Sequence, residues 1–159
     1  MNLDRLNPRE SIGFLSWKVA RVFANDLAAR FAEAGVKITV EQWRALLPAY
    51  KADGLTQGRL CDMLSQEKTG VSRLVAALEK HGLLRRESSD DDRRVKYIYI
   101  TDKGRELVDF TIDIVLESRA DIVKHVDPEE YAVCKRVLWQ LIEPHLDAAC
   151  CLKEEPFPK

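Results

Sequence analysis

Long apolar runs are missing from this sequence. None approaches the roughly 20 residues that span a bilayer, and the start, Met1-Asn2-Leu3-Asp4-Arg5-Leu6-Asn7-Pro8, lacks the apolar centre of a secretory signal. A cytoplasmic chain without a membrane partner is expected. Cysteine is scarce: Cys61, Cys134, Cys150 and Cys151. They form neither a CxxC nor a Cys/His ligand spacing, which argues against a structural zinc site and a disulfide framework. The adjacent pair Cys150-Cys151 reads as two inert thiols or as a redox sensor, since exposed thiols oxidise most readily. His81, His125 and His145 are scattered, and no nucleophile–base spacing or phosphate-binding glycine loop accompanies them. No enzyme, metal or cofactor is therefore expected. Excess charge is also lacking. The net charge is −1, so no global basic surplus points to nucleic acid. Residues 1–55 carry eight Lys/Arg against six Asp/Glu, 56–101 nine against seven, and 102–159 eight against thirteen. The acidic surplus sits in the last third, away from the central segment.

That central segment carries the clearest pattern. In Lys68–His81, Val71, Leu74, Val75 and Leu78 recur at spacings of three and four, the stripe of an amphipathic helix. Lys68, Thr69, Ser72 and Arg73 fall off the stripe near its N-terminal end. Gly82 suits the position just past the helix, where a left-handed conformation is common. A shorter helix is expected over Gln57–Leu64, capped by Thr56 and weakened by about 1 kcal/mol at Gly58. Cys61 falls on its inner face as a small hydrophobe. The three residues Ser65-Gln66-Glu67 separate the two, giving helix-turn-helix spacing. Leu83–Glu87 and the β-branched and aromatic run Val95–Ile100 then read as paired strands. The polar loop Ser88–Arg94 between them is too long for a tight turn. Two helices followed by a hairpin with a basic tip form a winged helix-turn-helix pattern.

The flanks read as helices. Asn7-Pro8-Arg9-Glu10 predicts a helix start with a capping box, continued by Ile12, Leu15, Val19, Val22, Phe23, Leu27 and Phe31 to about Glu33. Thr39-Val40-Glu41-Gln42 predicts a second start, with Pro48 distorting the helix that follows. Thr101 is expected to cap a helix reaching about His125. Asp127-Pro128 opens the last one, which Pro144 should kink. These terminal helices carry more apolar face than one small winged domain covers, so a homodimer is expected. The expected fold is mainly α with a small β-hairpin wing. Residues 1–38 form an N-terminal dimerisation helix, 39–101 the winged helix-turn-helix DNA-binding domain, 102–152 C-terminal dimerisation helices and 153–159 a disordered tail.

Several stretches occur in order: Leu55-Thr56-Gln57-Gly58-Arg59-Leu60, Val71-Ser72-Arg73-Leu74-Val75, Leu78-Glu79-Lys80-His81-Gly82-Leu83-Leu84-Arg85-Arg86, Asp91-Asp92-Arg93-Arg94 and Ile100-Thr101-Asp102-Lys103-Gly104. Together they resemble the MarR family of winged-helix transcription regulators. Two positions depart from the family's usual pattern. Gly70 stands where a DNA-touching side chain is common, and Gln66 occupies a turn position that is often apolar.

The resemblance implies a dimer on a pseudo-palindromic double-stranded DNA operator, usually as a repressor released by a small phenolic or anionic effector. Thr69, Ser72 and Arg73 are expected in the major groove, with Arg73 able to pair with a guanine edge. Lys68 and Gln57 are assigned to phosphate. Arg94 is assigned to the minor groove, with Asp92 orienting it and Arg93 and Lys96 adding backbone contacts. Trp17 reads either as an interface or core aromatic or, with Arg21 and Trp43, as the wall of a pocket for an anionic aromatic ligand. Two alternatives stay open: a cysteine-based redox-responsive regulator, and a winged-helix protein-interaction module without DNA binding. Oxidant sensors of this family carry a reactive cysteine near the start of the first helix, and Asn2–Phe31 contains none.

Overall fold

Local capping decides where the first helix begins. A computed structural model of the chain describes residues 7–52, 54–89 and 94–146. Asn7 caps only a short 3-10 turn, Pro8–Glu10, by accepting from the Arg9 amide. The side chain of Ser11 then caps a new helix, α1, over Ile12–Glu33. The expected start at Pro8 is thus displaced by one turn, because a second N-cap follows the first within four residues. Next come α2 (Val40–Lys51), β1 (Leu55–Thr56), α3 (Gln57–Leu64) and α4 (Lys68–Lys80). They are followed by β2 (Leu84–Ser88), β3 (Lys96–Ile100), α5 (Asp102–Val123) and α6 (Pro128–Ile142).

The two prolines sit differently with respect to their helices. α2 runs through Pro48 to Lys51. Proline removes one amide donor from that helix, but its φ remains helical and the chain continues. Pro144 does not kink α6. The helix ends at Ile142, and Pro144 lies in a 3-10 turn, Glu143–His145.

The chain divides into two compact units. One holds α1 and residues 111–124 of α5. Its buried side chains include Leu27, Phe31, Thr111, Val115 and Ser118. A polar cluster ties its two helices together. Ser118 Oγ donates to Asp26 Oδ2 at 2.7 Å, and Arg30 donates to Asp26 at 2.8 Å and to Asp121 at 2.7 Å. The Ser118 hydrogen bond leads in lowering the Asp26 pKa, with Arg30 adding to it.

The other unit contains residues 41–110 and the chain from 125 onward. Its core includes Trp43, Leu46, Leu60, Val71, Val75, Leu78, Leu84 and Ile98, all buried. The sheet is antiparallel in the order β1-β3-β2. Leu55 and Thr56 pair with Ile98 and Tyr97, so a third strand joins the expected hairpin. At the end of α2, the Tyr50 hydroxyl donates to Asp109 Oδ1 at 2.6 Å. The Arg105 guanidinium lies 5.4 Å from the Tyr50 ring centre. No helix among the described residues is long and apolar enough to cross a membrane.

Candidate nucleic-acid interface

The orientation of α4 is set by its apolar side. Val71, Val75 and Leu78 of α4 are buried, so the opposite side faces outward. Lys68, Thr69 and Arg73 are exposed there, and Ser72 is half-buried. Glu67 stands at the N-cap without a side-chain cap. First-turn amides of a helix are suited to a phosphate, which the helix dipole also favours. At the other end Gly82 takes φ +71°, and the Gly82 and Leu83 amides donate to the Glu79 and Leu78 carbonyls at 2.8 and 2.9 Å. That is a Schellman closure, which glycine adopts without a Cβ penalty.

α3 is joined to α4 by a tight turn. Ser65 takes φ +50°, and the Ser65 and Gln66 amides close on the Asp62 and Cys61 carbonyls. The closure uses backbone groups, so the polar Gln66 side chain is not needed to hold it. Cys61 is buried, and burial raises its thiol pKa. A neutral, inaccessible thiol is a poor redox nucleophile. Cys134 on α6 is exposed, while Cys150 and Cys151 lie outside the described residues.

The wing supplies the rest. A cleft of about 430 Å³ is lined by Thr56, Gln57, Gly58, Lys68, Arg94, Val95 and Lys96. It gathers four of the expected DNA-binding residues, Gln57, Lys68, Arg94 and Lys96, from α3, α4 and the wing. Thr69, Ser72 and Arg73 do not line it and continue along α4. Lys96 Nζ donates to Ser88 Oγ at 2.5 Å across the β2–β3 pair. Asp92 and Arg93 lie outside the described residues.

Two cations of β2 draw no assignment from the sequence. Arg85 stacks 4.4 Å from the centre of its cross-strand partner Tyr99 and pairs with Glu87. Arg86 pairs with Glu79 of α4 at 2.5 Å. Cross-strand alignment of Arg85 with Tyr99 is the signal that could have found the first, and it requires the register of the hairpin.

Trp17 and Arg21 meet on the surface of α1, with the guanidinium 5.8 Å from the ring centre. Lys18 lies 5.2 Å from the same ring, and Trp17 is 53% exposed. Trp43 is buried in the other unit. Among the described residues, no group of three His, Cys, Asp or Glu side chains is placed to hold a metal ion.

The profile of the MarR family matches residues 35–95, from the turn after α1 into the wing. YhbI, an uncharacterised HTH-type transcriptional regulator of Bacillus subtilis, is 31% identical over 72 residues, 45% of this chain and 47% of its own. The chain spans about half the length of the curated relatives it matches. The MepR–DNA complex of S. aureus superposes with a TM-score of 0.74 at 26% identity, over 84% of this chain and 98% of that one. CouR of Rhodococcus jostii RHA1, bound to p-coumaroyl-CoA, shares the fold with a TM-score of 0.73 at 21% identity. That match covers 89% of this chain and 98% of CouR. Residues 35–95, which hold the helix-turn-helix and β2, are thus similar to the MarR family, and the fold around them is that of MepR.

Proposed function

We propose that the chain is a homodimeric repressor that binds a pseudo-palindromic operator and leaves it when a small aromatic or anionic effector binds. The observation that carries the reading is the convergence of Gln57, Lys68, Arg94 and Lys96 on one cleft, beside the outward side of α4. Lys68 and Gln57 hold phosphate and set register, Thr69, Ser72 and Arg73 read bases, Arg94 enters the minor groove and Lys96 adds a backbone contact. Asp92 and Arg93 keep their roles beside Arg94 in this reading. The DNA in the MepR complex supports the first half of the proposal, and the ligand of CouR supports the second.

Trp17, Arg21 and Trp43 are the effector residues of this reading, Trp17 and Arg21 already forming an aromatic–cation pair. The test uses one sample for both halves. A duplex enriched by the chain itself from a random pool is bound, and small aromatic carboxylates are then titrated in. A carboxylate that changes tryptophan fluorescence should lower DNA affinity, and DNA should lower carboxylate affinity by the same factor. Enrichment of no sequence would end the operator reading. Enrichment with no carboxylate response, or a response unchanged in both Trp17→Ala and Arg21→Ala, would end the effector assignment.

A further inference from the structure

The C-terminal end of α4 is held by the side chains of Thr101, just before α5, and of Lys103, in its first turn. Thr101 Oγ1 donates to the Gly82 carbonyl at 2.7 Å and accepts from the Gly104 amide at 3.1 Å. One hydroxyl thus supplies its proton to the end of α4 and a lone pair to the start of α5. Lys103 Nζ donates to the His81 carbonyl at 2.8 Å. A cation there complements the negative end of the α4 dipole. The Thr101 amide donates to the Leu83 carbonyl at 3.1 Å. Gly104 lets the two segments touch, since a Cβ at that position would stand 2.3 Å from the Leu83 carbonyl oxygen.

We propose that Thr101 and Lys103 are positioning residues for DNA recognition, holding the far end of α4 so that α5 aims its reading end. The inference rests on the operator reading above. α4 has 13 residues, so it is a rod of roughly 20 Å. A tilt of about 5° at the held end moves the other by roughly 1–2 Å, more than the hydrogen bonds of base readout tolerate. The apolar stripe of Val71, Val75 and Leu78 fixes which side faces inward. The polar contacts at His81, Gly82 and Leu83 fix the end about which the rod can tilt.

The chemistry of the joint separates its parts. Thr101→Ser keeps both hydroxyl bonds. Thr101→Asp keeps the acceptor for Gly104 but has no proton for the Gly82 carbonyl. Lys103→Arg keeps a donor at His81, and Lys103→Met removes it. The experiment measures affinity, salt slope and single-base preference on the duplex enriched by the unmodified chain, with melting temperature as the check on folding. Thr101→Asp and Lys103→Met should lose affinity by about tenfold and discriminate less between bases. Their salt slopes should match the unmodified chain, and Thr101→Ser and Lys103→Arg should bind as it does. If Thr101→Asp does not fold, Lys103→Met alone decides. Unchanged base preference in a folded Thr101→Asp or Lys103→Met overturns the inference. So does a slope lower by about one in Lys103→Met, which marks a phosphate ligand. Failure of the unmodified chain to enrich any duplex overturns the operator reading, and this inference with it.

Discussion

Gly70 is an unusual choice for the first turn of a helix. It is exposed, and a Cβ added there would meet only Gln66 Oε1 at an ordinary 3.7 Å. No close approach inside the folded chain therefore requires glycine. Gly70→Ala is expected to stabilise the folded chain by up to about 1 kcal/mol, through the lower entropy of the unfolded chain. Thermal unfolding of the two forms checks this, and a lower melting temperature for the alanine form would contradict it. Gly104 is the opposite case, packed against the Leu83 carbonyl with no room for a side chain. Side by side in the sequence the two glycines look alike. Only long-range packing separates them.

Elements differ in how they answer pH. The link between α1 and residues 111–124 of α5 uses two carboxylates with lowered pKa values. Asp26 is lowered chiefly by the Ser118 hydroxyl and Asp121 chiefly by Arg30. A depressed carboxylate contributes stability above its unfolded pKa and loses it as pH falls through the folded value. For both groups the loss falls below the ordinary value of 3.8. Stability should hold between neutral pH and about pH 4–5 on this account, then fall more steeply than in Ser118→Ala, which lacks the leading partner of Asp26. Denaturant unfolding across that range tests it, and identical acid limbs for the two forms would contradict it. Legibility also varies by element. The apolar periods of α3, α4 and the flanking helices are strong enough to read, as is the Gly82 stop. β1 is not, because two residues carry no period and Leu55–Thr56 is a strand only through its pairing with Ile98 and Tyr97. The start of α1 is ambiguous in the sequence because Asn7 and Ser11 are both good caps, and nothing local ranks them. For Pro144, local chemistry fits either a kink inside the last helix or a stop before the proline, and the structure takes the stop.

At the scale of the molecule, apolar side chains remain exposed along α1 at Ile12, Leu15, Val19 and Val22, and along α6 at Val133, Val137 and Leu141. The α1 set recurs at spacings of three, four and three, the seam by which helices pair. In the dimer reading these sides are covered by a second copy. Light scattering should then give about twice the 18.2 kDa chain mass at micromolar concentration, and the single mass would contradict it. Charge and spacing, with the family resemblance, single out the candidate DNA-binding residues from the sequence. The gathering of four of them around one cleft is not legible there, because it depends on the wing folding back toward Gln57 and Lys68.

In the operator reading proposed above, α4 reads bases while the wing reads charge and groove shape. Arg73 is exposed on α4, whereas Arg94 lines the cleft with Lys68 and Lys96. The most direct measurement is binding of Arg73→Ala and Arg94→Ala to the enriched duplex and its single-base variants across several salt concentrations. Arg73→Ala should cost about 1–3 kcal/mol per half-site and relax preference at one base position. Arg94→Ala should weaken binding to all variants alike and lower the salt slope by about one for each phosphate charge no longer neutralised. Wild-type affinity, base preference and salt slope in both forms would contradict the account.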